Sequence, residues 1–279
     1  MSLARDFAER LPAVEAELSY LVPMADRPRT YTYEPPSGEP WSNTRHEPHR
    51  LPVHDARPSA SAFSLDRDGF GLIEQQSAVT DFYDDDQIRR IYYPEAERLL
   101  IELTGADRVL VFDHTRRKRI PGVEDRRGGP RQPAVRVHVD HTERSGPQRV
   151  RDLLPDEADE LLEGRVQIIN LWRPIKGPLL DAPLAVCAAG SVDPSELVPS
   201  DLVYPDRTGE TYNVTYSPAH RWFYFPEMRT DEALLLKCYD SSRDGRARFA
   251  PHTGFTDPTT PADAPPRESI ELRTLVFHR

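Results

Sequence analysis

Residues 135–140 read Val-Arg-Val-His-Val-Asp, an apolar run typical of a β-strand that closes on a histidine and an aspartate. Successive side chains of a strand point to opposite faces, so His138 and Asp140 share one face. A polar segment, residues 141–144, follows directly. The stretch therefore predicts a strand that carries two polar ligands to one end of a β-structure.

Similar short apolar runs recur through the chain, and proline, glycine and aspartate separate most of them. They lie at 107–112, 166–172, 184–188, 211–216, 222–225, 233–239, 248–250 and 270–277. Eight or so short strands with few helices are typical of a double-stranded β-helix, or jelly roll, which can enclose a site between its sheets. We predict a mainly β fold with this core and supporting N-terminal helices.

Helical spacing of apolar residues predicts three helices. One covers residues 2–21, one covers 84–104 and ends at Gly105, and one covers 148–163. Residues 23–58 are rich in proline and show no steady period, which favours a lid or a wrapping arm. The predicted organisation is thus an N-terminal helix (1–22), a proline-rich arm or lid (23–60) and a jelly-roll domain (61–279).

The composition excludes several classes of protein. The net charge of -10 is spread along the chain, and no basic stripe with interleaved aromatic residues indicates nucleic-acid binding. The arginine-rich stretch Arg116–Arg131 contains glycine and proline and is interpreted as a solvated loop. No signal core or long apolar span is present, so we expect a cytoplasmic protein without a membrane partner. Cys187 and Cys238 lie in apolar runs typical of buried free thiols.

An H-x-D pair with one distant histidine is the ligand set of the 2-His-1-carboxylate triad, which binds Fe(II) and leaves one face open for a co-substrate and oxygen. Two histidines compete for the third position, His220 and His252. His252 is favoured because a cation and a hydroxyl, Arg267 and Ser269, open the next strand. The competing interpretation of His220 is a surface or supporting histidine at the start of a strand.

An arginine in that place can bind a carboxylate of 2-oxoglutarate with two parallel hydrogen bonds, with Ser269 in support. The alternative for Arg267 is an ordinary charge at a strand edge, with Arg273 as a partner for Glu271. Asn170 and Trp172 share a strand face, so an amide and an indole are predicted to line the co-substrate or substrate wall. For Trp172, a plain core position is the alternative.

Seven motifs together resemble the CmcJ/NvfI-type oxidoreductases, a family that includes gibberellin desaturase-like proteins and AsaB-like hydroxylase/desaturases. They are HVD (138–140), NLWRP (170–174), PLAVC (183–187), WFYFPEM (222–228), DEALLLKCYDS (231–241), PHTGF (251–255) and PPRESIELRTLVF (265–277). The resemblance runs from about Tyr31 to the C-terminus. It implies a double-stranded β-helix with Fe(II) and 2-oxoglutarate, His138, Asp140 and His252 as iron ligands, and Arg267 on the 2-oxoglutarate tail.

The expected activity is hydroxylation or desaturation of a small molecule of secondary metabolism, with molecular oxygen as the second substrate and homo-oligomer formation left open. Two alternatives remain. A cupin-like metal isomerase or dioxygenase would use similar ligands without 2-oxoglutarate and would tolerate Arg267→Ala. A non-catalytic small-molecule-binding protein would retain the barrel without bound iron.

Overall fold

The computed structural model describes residue 8, residues 10–123 and residues 131–279. The strands are, in chain order, β1 Ala13–Leu21, β2 Arg29–Tyr31, β3 His46–Asp55, β4 Phe70–Glu74, β5 Arg108–Lys118, β6 His138–Val139, β7 Arg165–Pro174, β8 Leu184–Cys187, β9 Leu197–Val203, β10 Thr208–Val214, β11 Trp222–Tyr224, β12 Glu232–Asp240, β13 His252–Gly254 and β14 Glu268–His278. The prediction of a mainly β fold is confirmed.

The helices are few and short. They are α1 Asp85–Gln87, α2 Tyr93–Thr104, α3 Ser145–Leu153 and α4 Ala158–Glu163, with a π-helical turn at Ile88–Tyr92 and 3-10 turns at Arg57–Ala62, Ala189–Ser191 and Pro194–Glu196. Among these elements, no helix is long and apolar enough to cross a membrane. The predicted end at Gly105 is confirmed, since this residue has a φ of 67°, which glycine adopts without strain.

Two sheets face each other. The larger has the strand order β1-β3-β11-β8-β13-β6-β10-β9-β2, and the smaller has the order β4-β12-β7-β14-β5. A core of apolar side chains joins the sheets, with Val139 and Val186 from the larger and Ile168, Leu234 and Leu236 from the smaller. Polar side chains that point between the sheets, such as those of His252 and Arg267, are therefore shielded from water.

The outer face of the smaller sheet is covered by α2. Ala96 and Leu100 of this helix belong to one apolar cluster with Ile169, Ile270 and Leu272 of the strands beneath them. Neighbouring residues of β7 and β14 thus alternate between this outer layer and the interior, as the two-residue period of a strand requires. The alternation decides which residues of β14 can reach the site.

Two predictions about the N-terminal part are wrong. Residues 13–21 form strand β1, paired with β3, and not the end of a helix; residues 1–7 and 9 of that prediction lie outside the described residues. The segment 23–60 is no free arm, because β3 lies inside the larger sheet between β1 and β11. In β1 the alternating side chains of Ala16, Leu18 and Tyr20 are all buried, so packing against the sheet overrides the helical spacing.

Smaller differences occur further along the chain. The predicted helix 148–163 is two helices, and the break falls at Leu154, before Pro155, whose ring disfavours a helical conformation of the preceding residue. The strand expected at 248–250 begins instead at His252. Strand β5 continues to Lys118, so the start of the predicted loop 116–131 is strand, while residues 124–130 lie outside the described residues.

Candidate metal centre and co-substrate cavity

Two histidines meet across neighbouring strands of the larger sheet. His138 of β6 and His252 of β13 are direct antiparallel partners, and their ring centroids are 4.5 Å apart. Asp140 follows β6 on the same face, with its Oδ1 3.4 Å from Nε2 of His138. One ligand atom from each of the three residues lies within 4.8 Å of the other two. The structure brings together the three residues that the sequence predicts.

The hydrogen bonds of the two rings leave their metal-binding nitrogens free. Nδ1 of His138 donates to the carbonyl of Arg136 (2.8 Å), and Nδ1 of His252 donates to the carbonyl of Ala250 (3.0 Å). A carbonyl can only accept, so in a neutral ring the proton is on Nδ1 and the lone pair on Nε2. Nε2 of His252 is buried and has no hydrogen-bond partner among the described residues. Burial and the neighbouring His138 lower the pKa of His252 to about 4, so its lone pair is available near neutral pH.

Asp140 is held by two residues of the smaller sheet. Its Oδ2 accepts from Nδ2 of Asn170 (2.9 Å) and from Nε of Arg273 (3.1 Å), which leaves Oδ1 toward the histidines. Burial acts to raise the pKa of Asp140, but Arg273 and the histidines outweigh it and hold the pKa well below the usual range. The carboxylate is therefore charged and fixed in orientation, as a metal ligand needs to be.

His220, the competing third ligand, is not near this cluster. Its Nδ1 accepts from the Tyr20 hydroxyl at 3.0 Å, and its Nε2 donates to Glu196 at 2.8 Å. The Tyr20 hydroxyl in turn accepts from the indole nitrogen of Trp222 at 2.7 Å. His220 is thus a buried structural histidine that joins β1, β11 and the 3-10 turn Pro194–Glu196, and the geometry favours His252.

A small cavity adjoins the three residues and contains a buried arginine. Its lining includes His138, Asp140, His252, Trp172 and Arg267. Nε of Arg267 donates to Ser269 Oγ (3.1 Å), Nη1 donates to the carbonyl of Ala182 (2.9 Å), and the guanidinium lies 5.0 Å from the ring centre of Trp172. Trp172 is a core residue that also lines this cavity, and its contact with a co-substrate or substrate stays a prediction.

The buried cation of Arg267 has no carboxylate against its guanidinium in the described part of the chain. Burial and the nearby Arg117 lower the pKa of Arg267 to about 9, while Glu271 and Asp181 act weakly in the opposite direction. Gly254 makes room for the side chain, because a Cβ at this position would lie 3.3 Å from Nη1 of Arg267. The cavity therefore presents a buried guanidinium of fixed orientation, to which an anion would bind favourably.

Sequence reasoning missed Arg117 and gave Arg273 only a minor role. Arg117, on β5, lines the same cavity and lies directly opposite Ser269 in the strand register. Arg273 was interpreted as a partner of Glu271, and that bond exists (2.7 Å), but the same guanidinium also fixes Asp140. The available signal was the alternation of Arg267, Ser269, Glu271 and Arg273, which places all four on one face of β14.

Asn170 was predicted to bind the co-substrate. Its Nδ2 is engaged by Asp140, and its Oδ1 is buried without a partner among the residues described. Binding of the co-substrate by Asn170 stays a prediction. The hydrogen bond that exists gives Asn170 a positioning role toward Asp140.

Two facing sheets that enclose a His-Asp-His cluster and a buried arginine define a class of protein, the non-heme iron oxygenases that use a 2-oxo acid as co-substrate. The comparisons agree with this class. A family model described as an oxidoreductase/YMDC permease-like domain matches residues 18–277. The Fe(II)/2-oxoglutarate-dependent dioxygenase nvfI of Aspergillus novofumigatus is 32% identical over 272 residues, which cover 94% of this chain and 96% of that protein. The hydroxylase/desaturase efuI of Hormonema carpetanum is 34% identical over 291 residues, 97% of each protein.

A solved structure of the iron and alpha-ketoglutarate-dependent endoperoxidase NvfI superimposes with a TM-score of 0.86 at 30% identity, covering 96% of this chain and 99% of that chain. The chain belongs to this family of Fe(II)/2-oxoglutarate-dependent oxygenases. The predictions of a jelly-roll core, of an enzyme of this class, and of Fe(II) and 2-oxoglutarate as its cofactors are confirmed.

Proposed function

We propose that His138, Asp140 and His252 bind Fe(II), that Arg267 and Ser269 bind the far carboxylate of 2-oxoglutarate, and that the enzyme hydroxylates or desaturates a small organic molecule. The observation that carries the proposal is the free Nε2 of His252, which is buried without a partner and lies beside Nε2 of His138 and Oδ1 of Asp140. Two imidazoles and one carboxylate are the donor set that suits this iron.

Bound iron would supply the oxidising power, through activation of molecular oxygen coupled to the conversion of 2-oxoglutarate into succinate and carbon dioxide. The chain supplies the positions. Asn170 and Arg273 keep one oxygen of Asp140 directed at the cluster, and the carbonyls of Arg136 and Ala250 fix both imidazoles. Such supporting hydrogen bonds raise the basicity of the ligands and fix their geometry.

Arg267 is suited to bind the far carboxylate because its charge is buried, while Ser269 and the carbonyl of Ala182 fix the orientation of its guanidinium. Arg117 adds a second positive charge to the same cavity. The indole of Trp172 covers one face of the guanidinium and keeps water from it. A carboxylate that enters would gain charge-assisted hydrogen bonds in a site of low polarizability.

The type of oxidation and the surroundings of the enzyme are also proposals. Relatives are named as dioxygenase, hydroxylase/desaturase and endoperoxidase, so the family oxidises substrates in several ways. Hydroxylation and desaturation of a secondary metabolite both begin with removal of a hydrogen atom from carbon. A cytoplasmic location and homo-oligomer formation stay predictions.

The test is an anaerobic titration of the purified protein with Fe(II) and then 2-oxoglutarate, followed by the visible absorbance of the iron–2-oxoglutarate chelate. We expect the band in the wild type and in His220→Ala, and its loss in His252→Ala. His220→Ala is the matched control, because it removes a buried imidazole outside the cluster.

Arg267→Met tests the co-substrate. Loss of one or two charge-assisted hydrogen bonds is expected to weaken 2-oxoglutarate binding roughly 10- to 100-fold, with iron binding retained. Unchanged 2-oxoglutarate affinity in this variant would support a cupin-like reaction without the co-substrate. Absence of bound iron in the wild type would support a binding protein without catalysis.

A further inference from the structure

The cleft that leads to the candidate metal centre has a charge opposite to that of the whole protein. Its volume is about 1590 Å³, and His138 and Asp140 form part of its lining. Among the described residues, eight arginines and five carboxylates line it, although the protein carries a net charge of -10. A locally positive cleft on an acidic protein attracts anions.

Several of these arginines already have counter-charges. Arg27 and Arg144 bind Glu210, and Arg273 binds Asp140 and Asp113. These charges stabilise the cleft but are not available to a ligand. Arg27 also contacts Asp201 at 2.7 Å. Four of the five carboxylates are therefore paired with these arginines, namely Asp113, Asp140, Asp201 and Glu210.

Arg149 and Arg207 differ from Arg27, Arg144 and Arg273. Within the residues that the structure describes, no carboxylate lies within 4 Å of either guanidinium, and Nε of Arg149 is buried without a hydrogen-bond partner. The remaining carboxylate of the cleft, Asp152, accepts from Gln148 at 2.7 Å. After burial, the charge of Arg207 is the largest influence that lowers the pKa of Arg149, so the two cations repel each other across the cleft.

Aromatic rings hold both guanidinium groups in place. Cζ of Arg149 lies 5.5 Å from the ring centre of Phe112, and Cζ of Arg207 lies 4.1 Å from that of Tyr204. Stacking on a ring leaves the edge of the guanidinium, with its N–H groups, free for a ligand. Both cations line the same cleft with no described carboxylate within 4 Å of either guanidinium, so they form a site that a single anionic group would complete.

The same cleft exposes apolar side chains. Val123, Val135 and Leu153 are 48%, 64% and 36% exposed, and all three line the cleft. Leu153 lies one turn after Arg149 on α3, so both side chains share a face of this helix. Exposed apolar surface beside unpaired cations fits a ligand with an apolar skeleton and an anionic group.

Arg149 is also linked to the metal centre through the fold. The helix α3 begins at Ser145, five residues after Asp140, and Phe112 bridges Arg149 to His141, whose ring centre is 6.4 Å from that of Phe112. A molecule held at its anionic end by Arg149 can therefore extend along the cleft toward Asp140.

We propose that Arg149 and Arg207 form an anion clamp, and that the substrate of this enzyme is an organic acid with an apolar skeleton. The proposal rests on the function proposed above, because it concerns the substrate of the same site. It names the chemical class that the metal centre oxidises.

The test uses two fluorescent probes of similar size and shape, 8-anilinonaphthalene-1-sulfonate and the uncharged N-phenyl-1-naphthylamine. Equilibrium binding to the full chain is measured anaerobically with Fe(II) and 2-oxoglutarate, and again after chelation of the metal. We expect the wild type to bind the sulfonate more tightly than the neutral probe, and the preference to weaken as salt is added.

Arg149→Met and Arg207→Met are each expected to lower the affinity for the sulfonate roughly tenfold and to leave that for the neutral probe within twofold, since a hydrogen bond to a charged group is lost. Arg151→Met is the matched control, because this exposed residue is on the same helix but does not line the cleft. Arg207 is exposed in a turn, so its variant keeps the test valid if Arg149→Met misfolds.

Equal affinity of the wild type for both probes, or a loss in Arg151→Met as large as in the two clamp variants, would overturn the proposal. The titration repeated after removal of the metal distinguishes failure of the anion clamp from failure of the proposed function. Binding that depends on Arg149 and Arg207 without metal supports the clamp whatever the iron titration shows, whereas a chelate band without an anion preference supports the metal centre alone.

Discussion

Replacement of Asn170 by leucine tests whether the smaller sheet controls the affinity of the metal centre. In the described structure Asn170 makes no hydrogen bond to either histidine; it donates to Oδ2 of Asp140 at 2.9 Å. Leucine has the same number of side-chain heavy atoms and the same branching at Cγ, and it removes the donor. Asp140 would then keep only Arg273 on that oxygen, and its carboxylate could rotate away from the histidines.

The magnitude follows from the two atoms of the amide. A hydrogen bond to a charged acceptor contributes about 1.5–3 kcal/mol, and its loss destabilises the oriented carboxylate. The same change removes Oδ1 of Asn170, an acceptor buried without a partner in the described structure, whose removal is favourable by about 1–3 kcal/mol. The two effects oppose each other in the metal-free protein, so its free energy of unfolding is expected to change by no more than about 2 kcal/mol.

Iron affinity has no such compensation, because only the oriented carboxylate binds the metal. Loss of a hydrogen-bond partner of a metal ligand typically lowers metal affinity 10- to 100-fold, and we expect a decrease of about that size. The assay is an anaerobic Fe(II) titration against a competing chelator, combined with urea unfolding of the metal-free protein.

Gln167→Leu is the control for Asn170→Leu. Gln167 is a buried amide on the same strand, but its partner is His278 at 2.7 Å, away from the cluster. Iron affinity that stays within twofold of the wild type in Asn170→Leu, with folding intact, would refute the positioning role. An equal loss in Gln167→Leu would show that any buried amide of β7 has the same effect.

Three further predictions concern stability. Lys237→Met is expected to destabilise the fold by about 2 kcal/mol, measured by urea unfolding, because the fully buried Asp240 loses the hydrogen bond from Lys237 and keeps only Arg165 as a counter-charge; a change below about 1 kcal/mol would contradict this. Removal of iron by a chelator is expected to lower the melting temperature, since a ligand at ~100 times its Kd stabilises by about 2.7 kcal/mol, and His252→Ala should show no chelator effect. Burial lowers the pKa of His220, so the unfolded chain binds the extra proton first and stability is lost as pH falls below about 6.5. Urea unfolding at pH 7.5 and 5.5 should therefore show a smaller decrease in His220→Gln than in the wild type, and an equal decrease would exclude this histidine as the cause.

The sequence predicts local features of this protein better than the pairing of its strands. The alternation at 135–140 correctly places His138 and Asp140 on one face. The choice between His220 and His252 depends on which strand lies beside β6, and the pairing of β13 with β6 joins residues more than a hundred positions apart. Motif context favoured His252, but spacing alone could not show this contact.

The misassigned N-terminal segment has a comparable cause. Residues 13–21 satisfy a helical and a strand period at once, and the partner that selects the strand, β3, was hidden by its own prolines, Pro48 and Pro52. Proline is disfavoured inside sheets, so the proline-rich composition predicted an arm instead of a strand. The structure of β1 could therefore not be predicted without knowledge of its pairing with β3.

Strand β14 explains why the co-substrate cavity and the metal centre depend on each other. Arg267, Ser269, Glu271 and Arg273 precede or belong to this strand at alternating positions and face the interior, while Ile270 and Leu272 face the apolar layer under α2. A slip of one residue would exchange these faces and bury several charged side chains among apolar ones. The register is thus fixed by the large difference between the two faces. Because one strand carries both arginines, the same register brings Arg267 to the cavity and Arg273 to Asp140.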